Sequence, residues 1–186
     1  TAVYRLPLPL TPARALTPAL MLSYNPERGN GIFGRGFEID LMRVRRRLRP
    51  AAPGETALDR FELSSGDELV PRYEEVAPGD WRPDVQTRSA EIGGVIVEFR
   101  VTAYRPRYES GFARIEHWVA ADGVSHWRIV DRANTLTLFG IDELGRIADP
   151  EHPQDIVEWC LQETTDTLGN RIRYEYRPED DAGVPQ

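Results

Sequence analysis

The chain has 186 residues, 40% hydrophobic and 28% charged, which is ordinary for a globular protein and long enough for one domain with a real core. Its net charge of −7 argues against general nucleic-acid binding, which needs an excess of positive charge facing phosphates. No apolar run approaches the roughly 20 residues that cross a bilayer, and the single Cys160 excludes an internal disulfide and a Cys-based zinc site.

Residues 3 to 10 alternate, with Tyr4, Leu6, Leu8 and Leu10 on one face and Pro7 and Pro9 on the other. Proline in that pattern indicates an edge strand or an extended lead-in. After a Pro-containing connector, residues 19 to 24 form a strand that enters the loop of Ser23 to Phe37, SYNPERGNGIFGRGF. Gly29, Asn30, Gly31, Gly34 and Gly36 tolerate φ > 0, so the backbone is expected to turn tightly there between two strands. A phosphate-cradling loop competes with this reading, but it requires a helix after the loop and a Lys. The following GFEIDLM alternates like a strand, and all 23 basic residues are Arg. The next run, MRVRRRLR, puts Arg43, Arg45, Arg47 and Arg49 on one face and Val44, Arg46 and Leu48 on the other. A solvated face paired with some of the 30 acidic residues is preferred to a nucleic-acid patch.

Residues 50 to 58 read as a loop, and residues 60 to 73 as a hairpin turning at 64–66. Residues 74 to 93 are polar and carry Pro78, Gly79, Pro83 and Gly93–Gly94, so they are expected to form a long flexible loop. Residues 94 to 104 are the clearest strand, with Val95, Val97, Phe99, Val101 and Ala103 on the core face. FARIEHWV and VSHWRIVD follow as strands joined at Ala121-Asp122-Gly123. His117 and His126 each precede a Trp. They could approach one another in a hairpin, but two histidines are too few for a metal site, and cross-strand packing is preferred. QDIVEWCLQETT is ambiguous and leans to a strand, with Cys160 as a buried structural thiol.

A weak internal repeat closes the chain. Residues 131 to 147 and 166 to 183 each begin with Asp, pass a small-residue turn, and continue as a strand. In the second unit Ile172, Tyr174 and Tyr176 lie on one face and Arg171, Arg173, Glu175 and Arg177 on the other. About three such units are needed to bury a continuous core, so two would be the start of a larger array.

Several of these segments carry a resemblance. SYNPERGNGIFGRGF, RFELSSGDELVPRY, YRPRYESGFARIEHW, HWRIVDRANTLTLFG, GRIADP and TLGNRIRYEYRPEDDAG resemble, in order, the N-terminal motifs of the SpvB/TcB family of bacterial toxin proteins. Phe37 stands where the family often has Trp. The final unit resembles the YD/Rhs repeats, which stack strands into hollow shells. The resemblance implies an all-β fold of antiparallel sheets with Gly/Asn-rich turns, a single domain over residues 1–186, and a chain cut from a longer secreted toxin that is cytoplasmic before release. The family's ADP-ribosyltransferase is implied to lie in a separate C-terminal domain, which no part of this chain resembles.

No nucleophile elbow, zinc-protease helix or P-loop is present. The carboxylate pairs Glu74–Glu75 and Asp180–Asp181 fall in polar segments where raised pKa values are not expected. No residue is therefore assigned a catalytic, cofactor-binding or metal role, and no cofactor is expected. The leading expectation is a non-catalytic module of a toxin shell that docks other toxin-complex subunits or the rest of its own polypeptide. The alternative is a glycan- or host-protein-binding module using Tyr73, Trp81, Tyr104 and Tyr108. A hydrolase would need a pocket that holds Ser or His beside a carboxylate.

Overall fold

The structure, a computed structural model, describes residues 4–13, 16–27, 29–31, 33–47, 59–92, 94–108 and 111–177. The strands in chain order are β1 (Tyr4–Pro7), β2 (Met21–Tyr24), β3 (Asn30–Gly31), β4 (Gly34–Arg35), β5 (Phe37–Ile39) and β6 (Arg43–Arg47). Next come β7 (Arg60–Leu63), β8 (Glu68–Pro71), β9 (Tyr73–Ala77), β10 (Asp80–Pro83), β11 (Val85–Ile92) and β12 (Val95–Pro106). The last are β13 (Arg114–Ala120), β14 (Ser125–Val130), β15 (Leu136–Phe139), β16 (Arg146–Ala148), β17 (Ile156–Thr165) and β18 (Arg171–Arg173). A 3-10 turn at Glu143–Gly145 precedes β16, and there is no α-helix among the described residues. The ambiguous stretch around Cys160 is thus strand β17.

The main sheet closes on itself. Antiparallel neighbours run β12-β13-β14-β15-β17-β6-β7-β8, and β8 pairs back onto β12 through Tyr104↔Pro71 and Pro106↔Leu69. A barrel of about eight strands leaves an interior that side chains fill. Here Val44, Phe61, Leu69, Ile115, Trp127, Phe139 and Trp159 fill it. The alternation in the basic run accounts for Val44: it points inward at 0% exposure, while Arg43 and Arg45 pair with Glu158, and Arg47 with Glu62. The expected acid-paired face is therefore present. Leu48 and Arg49 lie outside the described residues, as does the expected loop at 50–58.

Four hairpin turns share one geometry. In each, the first residue donates its N–H to the carbonyl four positions on, and accepts from the N–H three positions on: Leu63–Asp67, Ala120–Val124, Asp131–Thr135 and Asp166–Asn170. The fourth residue has positive φ in every case: Gly66, Gly123, Asn134 and Gly169. This is a type I turn extended by one left-handed residue, which suits the twist of a hairpin. In the last two turns the opening Asp carboxylate also accepts from backbone N–H groups two and four positions on. The internal repeat thus reflects a repeated turn. Residues 178 to 183 lie outside the described residues.

Two expectations need correction. Residues 74 to 92 are not an irregular loop but most of strand β9 and all of β10 and β11. Their composition is polar because the β9–β10 ribbon is exposed on both faces and β11 is an edge strand; Gly79 and Gly94 supply the left-handed turn positions. Residue 93 lies outside the described residues. The second correction concerns β12. Phe99 and Val101 are buried, but they pack with Trp118 in a separate cluster outside the barrel, whereas Val95 is 62% exposed at the tip of the β11–β12 hairpin. The barrel-facing side is the other one, marked by Tyr104 against Phe61 and Trp127.

Candidate functional site

The loop of Ser23 to Phe37 joins β2 to β5, which with β1 form a separate three-stranded sheet, β1-β2-β5. Asn25 N–H donates to Gly36 O at 2.8 Å, and Gly36 N–H to Gly29 O at 2.9 Å, which draws the loop tightly together. Gly36 has φ +84°, and a Cβ there would lie 2.7 Å from a Tyr24 ring carbon and 2.9 Å from Asn25 O. The strand β5 follows directly, so the helix that a phosphate loop requires is not there. The register aligns Tyr4 with Tyr24, Leu6 with Leu22, Leu22 with Ile39, and Tyr24 with Phe37. Cross-strand partners share a face, so these residues make one apolar face, on which Tyr4, Leu6 and Phe37 remain exposed. The opposite face is polar: Ser23 Oγ donates to Asp40 at 2.9 Å, and Arg43 pairs with Glu38.

A second exposed feature leaves the barrel at its seam. β8 and β11 both pair with β12, at residues 104–106 and 95–102 respectively. Between them the chain makes the β9–β10 ribbon. At its base Arg72 N–H donates to Ala103 O, Ala103 N–H to Asp84 O, and Asp84 N–H to Arg72 O. The Arg72 guanidinium pairs with the Asp84 carboxylate, whose residue is 2% exposed. This clasp was not legible as a pair, because its members stand twelve positions apart with the ribbon between them.

Of the aromatic residues proposed for binding, Tyr73 and Trp81 lie on the ribbon, and these two and Tyr108 are exposed. Tyr104 is not available: it packs in the barrel core, and burial pushes its hydroxyl up to about 12. His117 and His126 do not meet. His117 is opposite Trp127 and His126 opposite Trp118, so adjacent positions send them to opposite faces of the sheet. His117 stacks on Trp127 at 4.3 Å and 12° inside the barrel, and its Nε2 is enclosed without a hydrogen-bond partner. Burial, reinforced by nearby Arg46, holds it down to about 3. Cross-strand packing is thus their role.

A cavity of about 630 Å³ is lined in part by Leu144, Ile147, Cys160 and Tyr176. Burial and Glu158 push the Cys160 thiol up to about 11, and burial raises Tyr176 as well. Neither is a ready nucleophile at neutral pH. Among the described residues there is no group of three or more metal-ligating side chains. Glu74–Glu75 sits on exposed β9, and Asp180–Asp181 lies outside the described residues.

A closed barrel filled with side chains, with a small apolar sheet and an exposed ribbon beside it, defines an all-β module. Known proteins place it further. The family model for the Salmonella virulence plasmid 65kDa B protein matches residues 1–186, and the chain belongs to this SpvB family. It is 32% identical over 180 residues to the mono(ADP-ribosyl)transferase SpvB of Salmonella typhimurium, which covers 96% of this chain but only 30% of that protein. The N-terminal domain of effector protein SpvB from Salmonella typhimurium strain LT2 superposes with a TM-score of 0.79 at 32% identity, over 98% of this chain and 56% of that one. The TcdB2–TccC3–Cdc42 crystal structure matches at TM-score 0.76 and 32% identity, over 99% of this chain and 8% of that one. The Photorhabdus luminescens Tc holotoxin pore does so at 0.76 and 32%, over 98% and 8%. The chain therefore spans under a third of the curated relative, and a small part of the Tc chains.

Proposed function

We propose that this chain is a non-catalytic wall segment of a secreted bacterial toxin, a single β domain that helps to enclose or present a payload. It docks other toxin-complex subunits or further parts of its own polypeptide. The observation that carries this reading is the match of almost the whole chain to TcdB2–TccC3 structures. The barrel supports it, since its interior is filled by packed aromatic and aliphatic side chains. The transferase activity in the relatives' name is assigned to the part of those proteins that this chain does not span. Incubation of the folded chain with labelled NAD and a cell extract tests this. No label transfer is expected, and transfer by the chain alone would contradict the proposal.

The second reading, a host-protein or glycan surface, is favoured by one observation: Tyr73 and Trp81 stand exposed on the same projecting ribbon. Trp81→Ala separates the two. Binding to host cells lost with the fold intact supports the second reading; unchanged binding removes it.

A further inference from the structure

The outer face of β13–β14 carries a cluster built around a guanidinium. His126 lies across from Trp118, with its ring 5.6 Å from Trp118 and 5.1 Å from Phe99, edge-on to the latter. Arg128 Nε donates to His126 Nε2 at 3.0 Å. That bond needs the Nε2 lone pair, so the ring is neutral with its proton on Nδ1. The same guanidinium lies 3.6 Å from the Trp118 ring centroid, over its face. Trp118 Nε1 in turn donates to Glu116 Oε2 at 3.0 Å, and the buried Glu116 also takes Arg88 at 3.0 Å and Arg114 at 3.4 Å. Arg128 is thus held by one lone pair and one aromatic face.

We propose that this cluster is an acid-sensitive latch: a proton on His126 Nε2 removes the acceptor of Arg128, sets two cations side by side, and drives the guanidinium off Trp118, so that acid loosens the β13–β14 wall. The charges that face His126 leave it no relief. Arg128 on its own strand and Arg146 on β16 oppose a proton there, His117 on β13 is itself held neutral by burial, and β12 offers the uncharged Phe99. Glu116 and Arg88 act on Arg128 rather than on the imidazole. The carboxylates of Asp122, Asp142 and Glu143 face Arg146. Burial and these cations hold His126 down to about 3, from an ordinary 6.5.

The sign follows from linkage. A histidine whose folded value is depressed binds protons better in the unfolded chain. Its contribution is complete above about 6.5 and is lost as pH falls toward 3. At pH 5 the difference between 6.5 and about 3 shifts the folding equilibrium by about 30-fold toward the unfolded chain. His117, enclosed in the barrel near Arg46 with Asp59 partly offsetting, adds a similar amount.

Urea unfolding of the whole 186-residue chain at pH 7 and pH 5 tests this in wild type and His126→Gln. Gln can still accept from Arg128 but does not titrate. The variant should lose about 25-fold less in its folding equilibrium between the two pH values than wild type does. An equal loss in both overturns the proposal. Should the variant fail to fold, NMR titration of the wild-type imidazoles decides. A His126 ring that stays neutral in the folded chain down to pH 4 supports the latch, and one that titrates near 6.5 while the chain stays folded overturns it.

Discussion

Gly36 and Gly140 show how single positions hold this molecule. Both have positive φ, and at Gly140 a Cβ would lie 2.4 Å from Trp159 Cδ1, inside the packed barrel wall. The left-handed backbone alone costs a non-Gly residue about 1–3 kcal/mol, and displacing the buried Trp159 ring adds a similar cost. Gly140→Ala is therefore expected to destabilise by about 3 kcal/mol in urea unfolding, and Gly66→Ala, where nothing lies within 4 Å, by about 1 kcal/mol. Equal losses would show that space around Gly140 is not the limit. The glycine loop was readable as a turn because its composition permits few other backbones. Which glycine meets a ring was not readable, since Trp159 comes nineteen positions after Gly140. His117 and His126 teach the same lesson. Their proximity to Trp was visible in HW pairs, but the alternation that sends them to opposite faces depends on the β13–β14 register.

At the scale of elements, turns were the legible part and ribbons the illegible part. Gly66 and Gly123 marked hairpins that the structure bears out, and the turn read after Asp166 is formed with Gly169 at positive φ. Residues 74 to 92 misled because polarity and prolines suggest a loop, whereas a two-stranded ribbon wet on both faces needs little apolar surface. Such a ribbon is marginal alone, and the clasp of Arg72 and Asp84 at its base fixes it to the seam. Arg72→Ala leaves the nearly buried Asp84 carboxylate without its cation, a change that costs about 3 kcal/mol when the charge is enclosed. Arg72→Ala with Asp84→Ala removes that orphan charge. Thermal unfolding should place the double variant above the Arg72→Ala single one; additive losses would show that the two side chains act separately.

For the whole molecule, the closure of the sheet is what the sequence left hidden. β8 reaches β12 across more than thirty positions, Leu69 to Pro106, and no local pattern encodes that pairing. The resemblance supplied the fold class and the family, and the structure supplied the barrel, its aromatic filling and the apolar sheet beside it. The exposed Tyr4, Leu6 and Phe37 form part of an apolar face of the kind that marks contact surfaces in assembled proteins. The central claim is that this chain is a wall segment and not a reaction site. The most direct test replaces the matching segment of TcdB2 with residues 1–186 of this chain and follows association with TccC3 by size-exclusion chromatography. Co-elution of the folded chimera with TccC3 is the predicted result, and a folded chimera that elutes alone would contradict the account.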